Sequence, residues 1–216
     1  MKKGFIFDLD GTLLDTVESI AHSANTMLTE FGYKPHEKDC YKYFAGDGQE
    51  ELIQRALKAA GDTNLSDFEA GLARYRELFK EGCMYHVAPF DGMVEALHTL
   101  KDKGMKLAVF SNKADVNVQH IIATLFEPGL FDFVLGARPD YKRKPSREGV
   151  DIVLKELNLD STECIYVGDT STDMLTGKGA KLYTVGVLWG FRDEKELMEN
   201  GADVIIKKPE ELTNLV

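Results

Sequence analysis

A chain of 216 residues is long enough for one large α/β domain, or for a core carrying a small insert. Hydrophobic residues make up 44% and charged residues 29%, a globular balance that excludes a largely disordered chain. With 36 acidic against 26 basic residues the net charge is −10, which argues against nucleic acid or anionic membranes as partners and requires a local cation wherever an anion binds.

The first element is Phe5-Ile6-Phe7, a short apolar run that reads as a buried strand and ends on the carboxylate of Asp8. Three apolar residues are too few for a secretory core, and no later stretch is long enough to span a bilayer. Cys40, Cys83 and Cys164 form no CxxC pair, as suits a reducing compartment. A cytoplasmic protein, monomeric or homodimeric, is expected.

From residue 15 to about 83 the pattern is helical. Val17, Ile20, Ala21, Ala24, Leu28 and Phe31 share one stripe closed by Gly32, and Leu52, Ile53, Ala56, Leu57 and Ala60 share another closed by Gly61. Ser66 with Glu69 reads as a capping box opening a third helix, which carries Phe68, Leu72, Tyr75 and Phe79. Between the first two helices, Phe44-Ala45-Gly46-Asp47-Gly48-Gln49 is either a flexible lead-in or a loop offering backbone amides to the distal end of a ligand.

Beyond this block, apolar runs at 107–110, 131–135, 165–167, 182–185 and 204–206 alternate with helical segments at 93–103, 116–125, 149–157, 173–180 and 195–200. The expected fold is α/β: a doubly wound, Rossmann-like, mainly parallel sheet with a small inserted all-helical cap. Residues 1–14 and 88–216 form the core of this arrangement, and residues 15–87 the cap.

The strand ends carry the polar residues. The runs finish on Asp8-Leu9-Asp10-Gly11-Thr12, on Ser111-Asn112-Lys113 and on Gly168-Asp169-Thr170-Ser171-Thr172-Asp173. In an open parallel sheet the ligand crevice lies beyond the carboxyl ends of the strands, so these clusters converge there. Asp8 and Asp10, two apart, project to one side of extended backbone with roughly 6.5 Å between Cα atoms. Adjacent buried carboxylates repel, and Asp169 adds a third negative charge. A hard divalent cation relieves this, and Mg²⁺ suits because it keeps positions for water and phosphate. Gly11 allows a sharp exit, and Thr12 offers a hydroxyl and an amide to an anion.

Asp8-Leu9-Asp10-Gly11-Thr12-Leu13, Ser111-Asn112-Lys113, Lys144-Pro145 and Gly168-Asp169-Thr170-(x)2-Asp173, in that order, resemble the four motifs of the haloacid dehalogenase-like hydrolase superfamily. The helical insert resembles its first cap type. The resemblance implies that Asp8 is the nucleophile and Asp10 the general acid and then base. It implies that Ser111 and Lys144 bind the transferring phosphoryl group, and that Mg²⁺ is held by Asp8, the Asp10 carbonyl and Asp169 with Asp173 in support. Thr12, Asn112, Gly46 and Gly48 are implied substrate-binding positions. The implied activity is Mg²⁺-dependent hydrolysis of a small phosphorylated metabolite, most similar to phosphoglycolate phosphatases through Gly46-x-Gly48, Asn112-Lys113 and Tyr85…Pro89-Phe90-(x)1-Gly92. A phosphomutase, a pyrophosphatase and a nucleotidase are the alternatives on the same scaffold. Related mutases carry a histidine where this chain has Ile20, and dehalogenases a tyrosine where it has Asp10.

Each position also has a plainer reading. Asp10-Gly11 fits a hairpin turn, and Ser111 and Gly168-Asp169 fit helix N-caps. Lys142-Arg143-Lys144 fits a solvated basic patch. Arg147 stands where relatives carry a second proline, leaving either a less rigid loop or a substrate contact. Trp189 lines the crevice rim or packs in a loop. The five histidines show no ligand spacing.

Overall fold

The computed structural model describes residues 1–216. In chain order the elements are β1 (Gly4–Phe7), β2 (Leu14–Asp15), α1 (Val17–Glu30), α2 (Cys40–Phe44), α3 (Gln49–Ala60), α4 (Phe68–Gly82) and β3 (Ala88–Pro89). There follow α5 (Met93–Asp102), β4 (Lys106–Ala114), α6 (Asp115–Leu125), β5 (Phe133–Ala137) and α7 (Glu148–Leu157). The chain ends with β6 (Cys164–Gly168), α8 (Ser171–Gly179), β7 (Tyr183–Val187), α9 (Glu194–Glu199) and β8 (Val204–Ile206). Two compact units result, Met1–Asp15 with Ala88–Val216, and Thr16–Val87.

In the larger unit six strands form one parallel sheet in the order β5-β4-β1-β6-β7-β8. Counting these strands along the chain gives 3-2-1-4-5-6, the doubly wound order, which reverses direction between β1 and β6. β1 is apolar throughout because it is covered on both faces and hydrogen-bonded on both edges; all four of its residues are buried. On one face Ile6, Ala108, Phe110 and Tyr166 pack beneath Val150, Val153 and Leu157 of α7. A smaller cluster of Met174, Leu197 and Ala202 seats α8 and α9 near the far edge.

Several expectations are corrected. The expected parallel sheet is present, but β2 with β3 makes a separate two-residue antiparallel pair that the sequence did not suggest. β5 starts at Phe133 rather than at 131, because the Phe131 ring packs edge-on against Phe126, 5.2 Å between centroids. β7 starts after Leu182, whose N–H is held by Gly177 O of α8 at 2.9 Å. The Asp10-Gly11 hairpin does not form, since both neighbours of β1 run parallel to it.

The smaller unit is all-helical. α1 packs along α4, and α3 packs against α2 and α4, with Met27, Leu28, Tyr41, Ile53 and Leu57 fully buried. Asn25 ties the loop after α1 by accepting from His36 N at 2.8 Å and Tyr41 Oη at 2.7 Å. The capping box Ser66–Glu69 is absent. α4 begins one residue later than that pairing requires, with Asp67 as its N-cap, and the Asp62 carboxylate accepts from Ser66 N (2.8 Å) and Asp67 N (2.9 Å). α2, too short to show a periodic stripe, was not foreseen. No helix is long and apolar enough to cross a membrane.

Candidate active site

The site is built where the sheet order reverses. The ladder of β1 stops at Phe7, and Asp8 N still donates to Val167 O at 2.9 Å, so Asp8 leaves the sheet beside the end of β6. A tight turn follows: Gly11 N bonds Leu14 O at 2.9 Å, with Leu9 and Leu13 buried beneath. Gly11 takes φ +80°, and a Cβ there would stand 2.2 Å from Asp169 Oδ2, so only glycine lets the turn close over that carboxylate. Gly190 closes from the other side, where a Cβ would meet Asp169 Cβ at 2.3 Å and Gly11 O at 2.4 Å.

Three carboxylates meet here. One oxygen from each of Asp8, Asp169 and Asp173 lies within 4.8 Å of the others, and all three residues are buried. Lys144 is set among them, its ammonium 2.8 Å from Asp8 Oδ1 and 2.7 Å from Asp173 Oδ1, with 1% of its side chain exposed. It is therefore no part of a solvated patch. Thr12 Oγ1 donates to Asp169 Oδ1 (3.1 Å) and Phe191 N to Asp169 Oδ2 (2.8 Å). Asp10 stands slightly more open, with Lys113 Nζ at 2.9 Å from its Oδ1. That contact is an ion pair without hydrogen-bond geometry, so the buried oxygen gains a countercharge but no donated hydrogen.

Asp173 joins the start of α8 to the buried cluster. Its Oδ2 accepts from Thr170 N (3.1 Å) and Thr170 Oγ1 (2.7 Å) in a capping box that starts α8, while its Oδ1 takes Lys144 and the Tyr166 hydroxyl (3.3 Å). The N-cap is thus Thr170, not Gly168 or Asp169. Ser111 is no cap either. It lies buried within β4, its Oγ accepting from Lys113 N at 3.2 Å, and the following helix is capped at Ala114. Asn112 engages the main chain of Lys144 from both ends of its carboxamide. Arg147 caps α7 and pairs with Asp151 at 2.8 Å.

Gly46 (φ +115°) and Gly48 (φ +96°) lie in the helical unit between α2 and α3. Arg55 fastens their loop by donating to Phe44 O (3.0 Å) and Asp47 Oδ2 (2.5 Å).

Sequence reasoning assigned no role to Lys113, Thr170, Tyr166, Gly190 or Phe191. It left Trp189 open; the indole Nε1 donates to Thr12 O at 2.9 Å, bracing the turn after Asp8. The Phe191 amide and the Trp189 bond span long stretches of chain, and no local pattern announces them. Lys113 is within reach of sequence reasoning, as a lysine two residues after a serine at a buried strand end.

Burial dominates the electrostatics. Burial pushes Asp8 up to about 7, with Asp173 adding to the rise and Lys144 opposing it. Burial also raises Asp169 well above the carboxylate range, helped by Asp173 and Asp8. Burial disfavours the charge on Lys144, yet Asp173 and Asp8 outweigh it and hold the ammonium firmly protonated. Asp8, Asp10, Asp169 and Asp173 face only Lys144 and Lys113, so the cluster carries excess negative charge in a dry place. An all-oxygen donor set with that excess fits a hard divalent cation, and soft thiolate or imidazole donors are absent from it.

Comparison with known proteins agrees with this geometry. The sequence profile of the haloacid dehalogenase-like hydrolases matches residues 5–187. The chain is 30% identical to a phosphoglycolate phosphatase of Aquifex aeolicus over 98% of this chain and 95% of that one. It is 28% identical to a phosphoglycolate phosphatase of Colwellia psychrerythraea, covering 93% and 90%. A crystal structure from Lactobacillus delbrueckii subsp. bulgaricus, provisionally assigned as a phosphoglycolate phosphatase, superposes with a TM-score of 0.92 at 30% identity, covering 100% and 98%.

Proposed function

The chain belongs to the haloacid dehalogenase-like hydrolases, and from that premise we propose that it is a Mg²⁺-dependent phosphatase acting on a small phosphorylated metabolite of the phosphoglycolate type. One observation carries the reading: a fully buried lysine 2.8 Å from Asp8 and 2.7 Å from Asp173, beside a third buried aspartate. Such a cluster is unfavourable in a resting fold and becomes useful when an anion and a cation arrive together.

In this reading Asp8 attacks phosphorus in line with the departing oxygen, forming an aspartyl phosphate as the ester P–O bond breaks. Asp10 delivers its proton to the leaving alkoxide. It then takes a proton from water, whose oxygen attacks the phosphoenzyme and returns Asp8 and orthophosphate. Lys144 and Ser111 hold the phosphoryl oxygens, so charge developing there meets fixed donors. Asp8, Asp169 and the main-chain carbonyl of Asp10 would hold the cation, with Asp173 in support. When bound, Mg²⁺ neutralises the phosphoryl oxygens and the excess carboxylate charge. Thr12 helps twice over, since its hydroxyl fixes Asp169 and its carbonyl receives Trp189. Gly46 and Gly48 are the proposed substrate-binding positions of the helical unit, in a loop whose conformation Arg55 holds.

A phosphate-release assay over phosphorylated two- and three-carbon acids, sugars, nucleotides and pyrophosphate, in Mg²⁺ and in EDTA, tests this. Turnover confined to Mg²⁺, greatest on a phosphorylated hydroxy acid and lost in Asp8→Asn, is expected. Faster isomerisation of a sugar phosphate than release of phosphate would replace the reading with a phosphomutase. Silence on every phosphoester would end it.

A further inference from the structure

We infer that Asn112 is a positioning residue that fixes the main chain of Lys144 and so aims its ammonium, rather than a group that binds substrate. A lysine side chain is a flexible four-carbon stem, and burial alone does not decide where its charged end lies. Lys144 nevertheless stands between Asp8 and Asp173 at 2.8 and 2.7 Å. Its backbone is anchored from 32 residues away. Lys144 N donates to Asn112 Oδ1 at 2.9 Å, and Asn112 Nδ2 donates to Lys144 O at 3.3 Å. Both residues are only 5% exposed, so neither bond is readily exchanged for water.

Asn112 is well placed to act as the fixed partner. It lies in β4, between Phe110 and Ala114, which both pair with β5, whereas Lys144 lies in the connection between β5 and α7. Its chain neighbour is Ser111, so a single carboxamide ties the segment bearing one anion-binding group to the residue bearing the other. The span between Ser111 Oγ and Lys144 Nζ is thereby set by the strand, and a preorganised pair of donors stabilises transferring charge without rearranging.

Asn112→Ala and Asn112→Ser, each alone and combined with Lys144→Met, test the inference. The activity arm rests on the phosphatase reading; the structural arm is the ¹⁵Nζ resonance of Lys144, identified by its loss in Lys144→Met. Misaiming the ammonium should lower kcat about 10²-fold while KM moves less than about threefold. In the Lys144→Met background the same change at residue 112 should alter kcat by less than about twofold, because the two residues act as one unit. The Lys144 resonance should shift in both Asn112 variants. An equal kcat loss in both backgrounds, an effect on KM alone, or an unmoved resonance would overturn the inference. Should the unmodified protein release no phosphate, the phosphatase reading falls while the resonance still decides the positioning role.

Discussion

The two units handle charge in opposite ways. In the helical unit charged groups are half-exposed and matched: Arg74 holds Glu30 at 2.6 Å and Glu77 at 3.0 Å, Arg76 holds Glu50 at 2.7 Å, and Arg55 holds Asp47. Its half-buried Asn25 and His36 and its buried Tyr41 bond one another or the backbone, and its only buried side-chain polar atoms without a hydrogen bond are the neutral hydroxyls of Thr16 and Ser23. At the sheet edge the charges are buried and unmatched, with Asp8, Asp169 and Asp173 around one lysine. Matched surface pairs contribute little to stability, while an unmatched buried group is unfavourable unless a ligand completes it. The contrast separates charges that are matched within the fold from charges that are left in excess inside it.

The sharpest way to break this comparison is Asp8→Asn. Turnover should fall by about 10⁴-fold or more, as when a nucleophile is removed. Yet the melting temperature in EDTA at pH 8 should rise, because a dehydrated carboxylate repelled by Asp173 has gone. A fall in melting temperature with unchanged turnover would reverse the assignment. Lys144→Met is next. It should silence turnover nearly as completely, and in denaturant unfolding it should also destabilise by about 3 to 5 kcal/mol by stranding buried carboxylates.

A third effect is pH dependence without metal. The Asp8 carboxyl loses its proton near 3.8 when unfolded and near 7 when folded. Between these values only the folded protein keeps the proton, so folding takes one up and stability declines as pH rises from about 4 to about 7. Melting curves in EDTA should follow that decline, and added Mg²⁺ should restore most at the upper end. Arg74→Ala, smallest of all, should leave turnover within about twofold and barely move the melting curve, since both its partners are exposed.

The legible part of the molecule was whatever local pattern controls. Phe5-Ile6-Phe7 followed by an aspartate announces a buried strand ending on a carboxylate, and Gly168-Asp169 announces another. Stripes such as Leu52, Ile53, Ala56 and Leu57 announced the helical insert. What escaped was competition and distance. Ser66-x-x-Glu69 has the composition of a capping box, but the Asp62 carboxylate reaches those amides first. Trp189, Phe191 and Asn112 act on residues 177, 22 and 32 positions away, and such partners exist only once the sheet has formed.

The central place of β1 has a consequence for synthesis. The strand made first is zipped on one side to Lys106–Val109 and on the other to Cys164–Val167, and Asp173 follows later still. A growing polypeptide that has not reached residue 144 carries Asp8 without its lysine or its neighbouring carboxylates. The cluster of Asp8, Lys144, Asp169 and Asp173 forms only when the last third of the chain docks, so a product of translation that stops before Asp173 cannot assemble it.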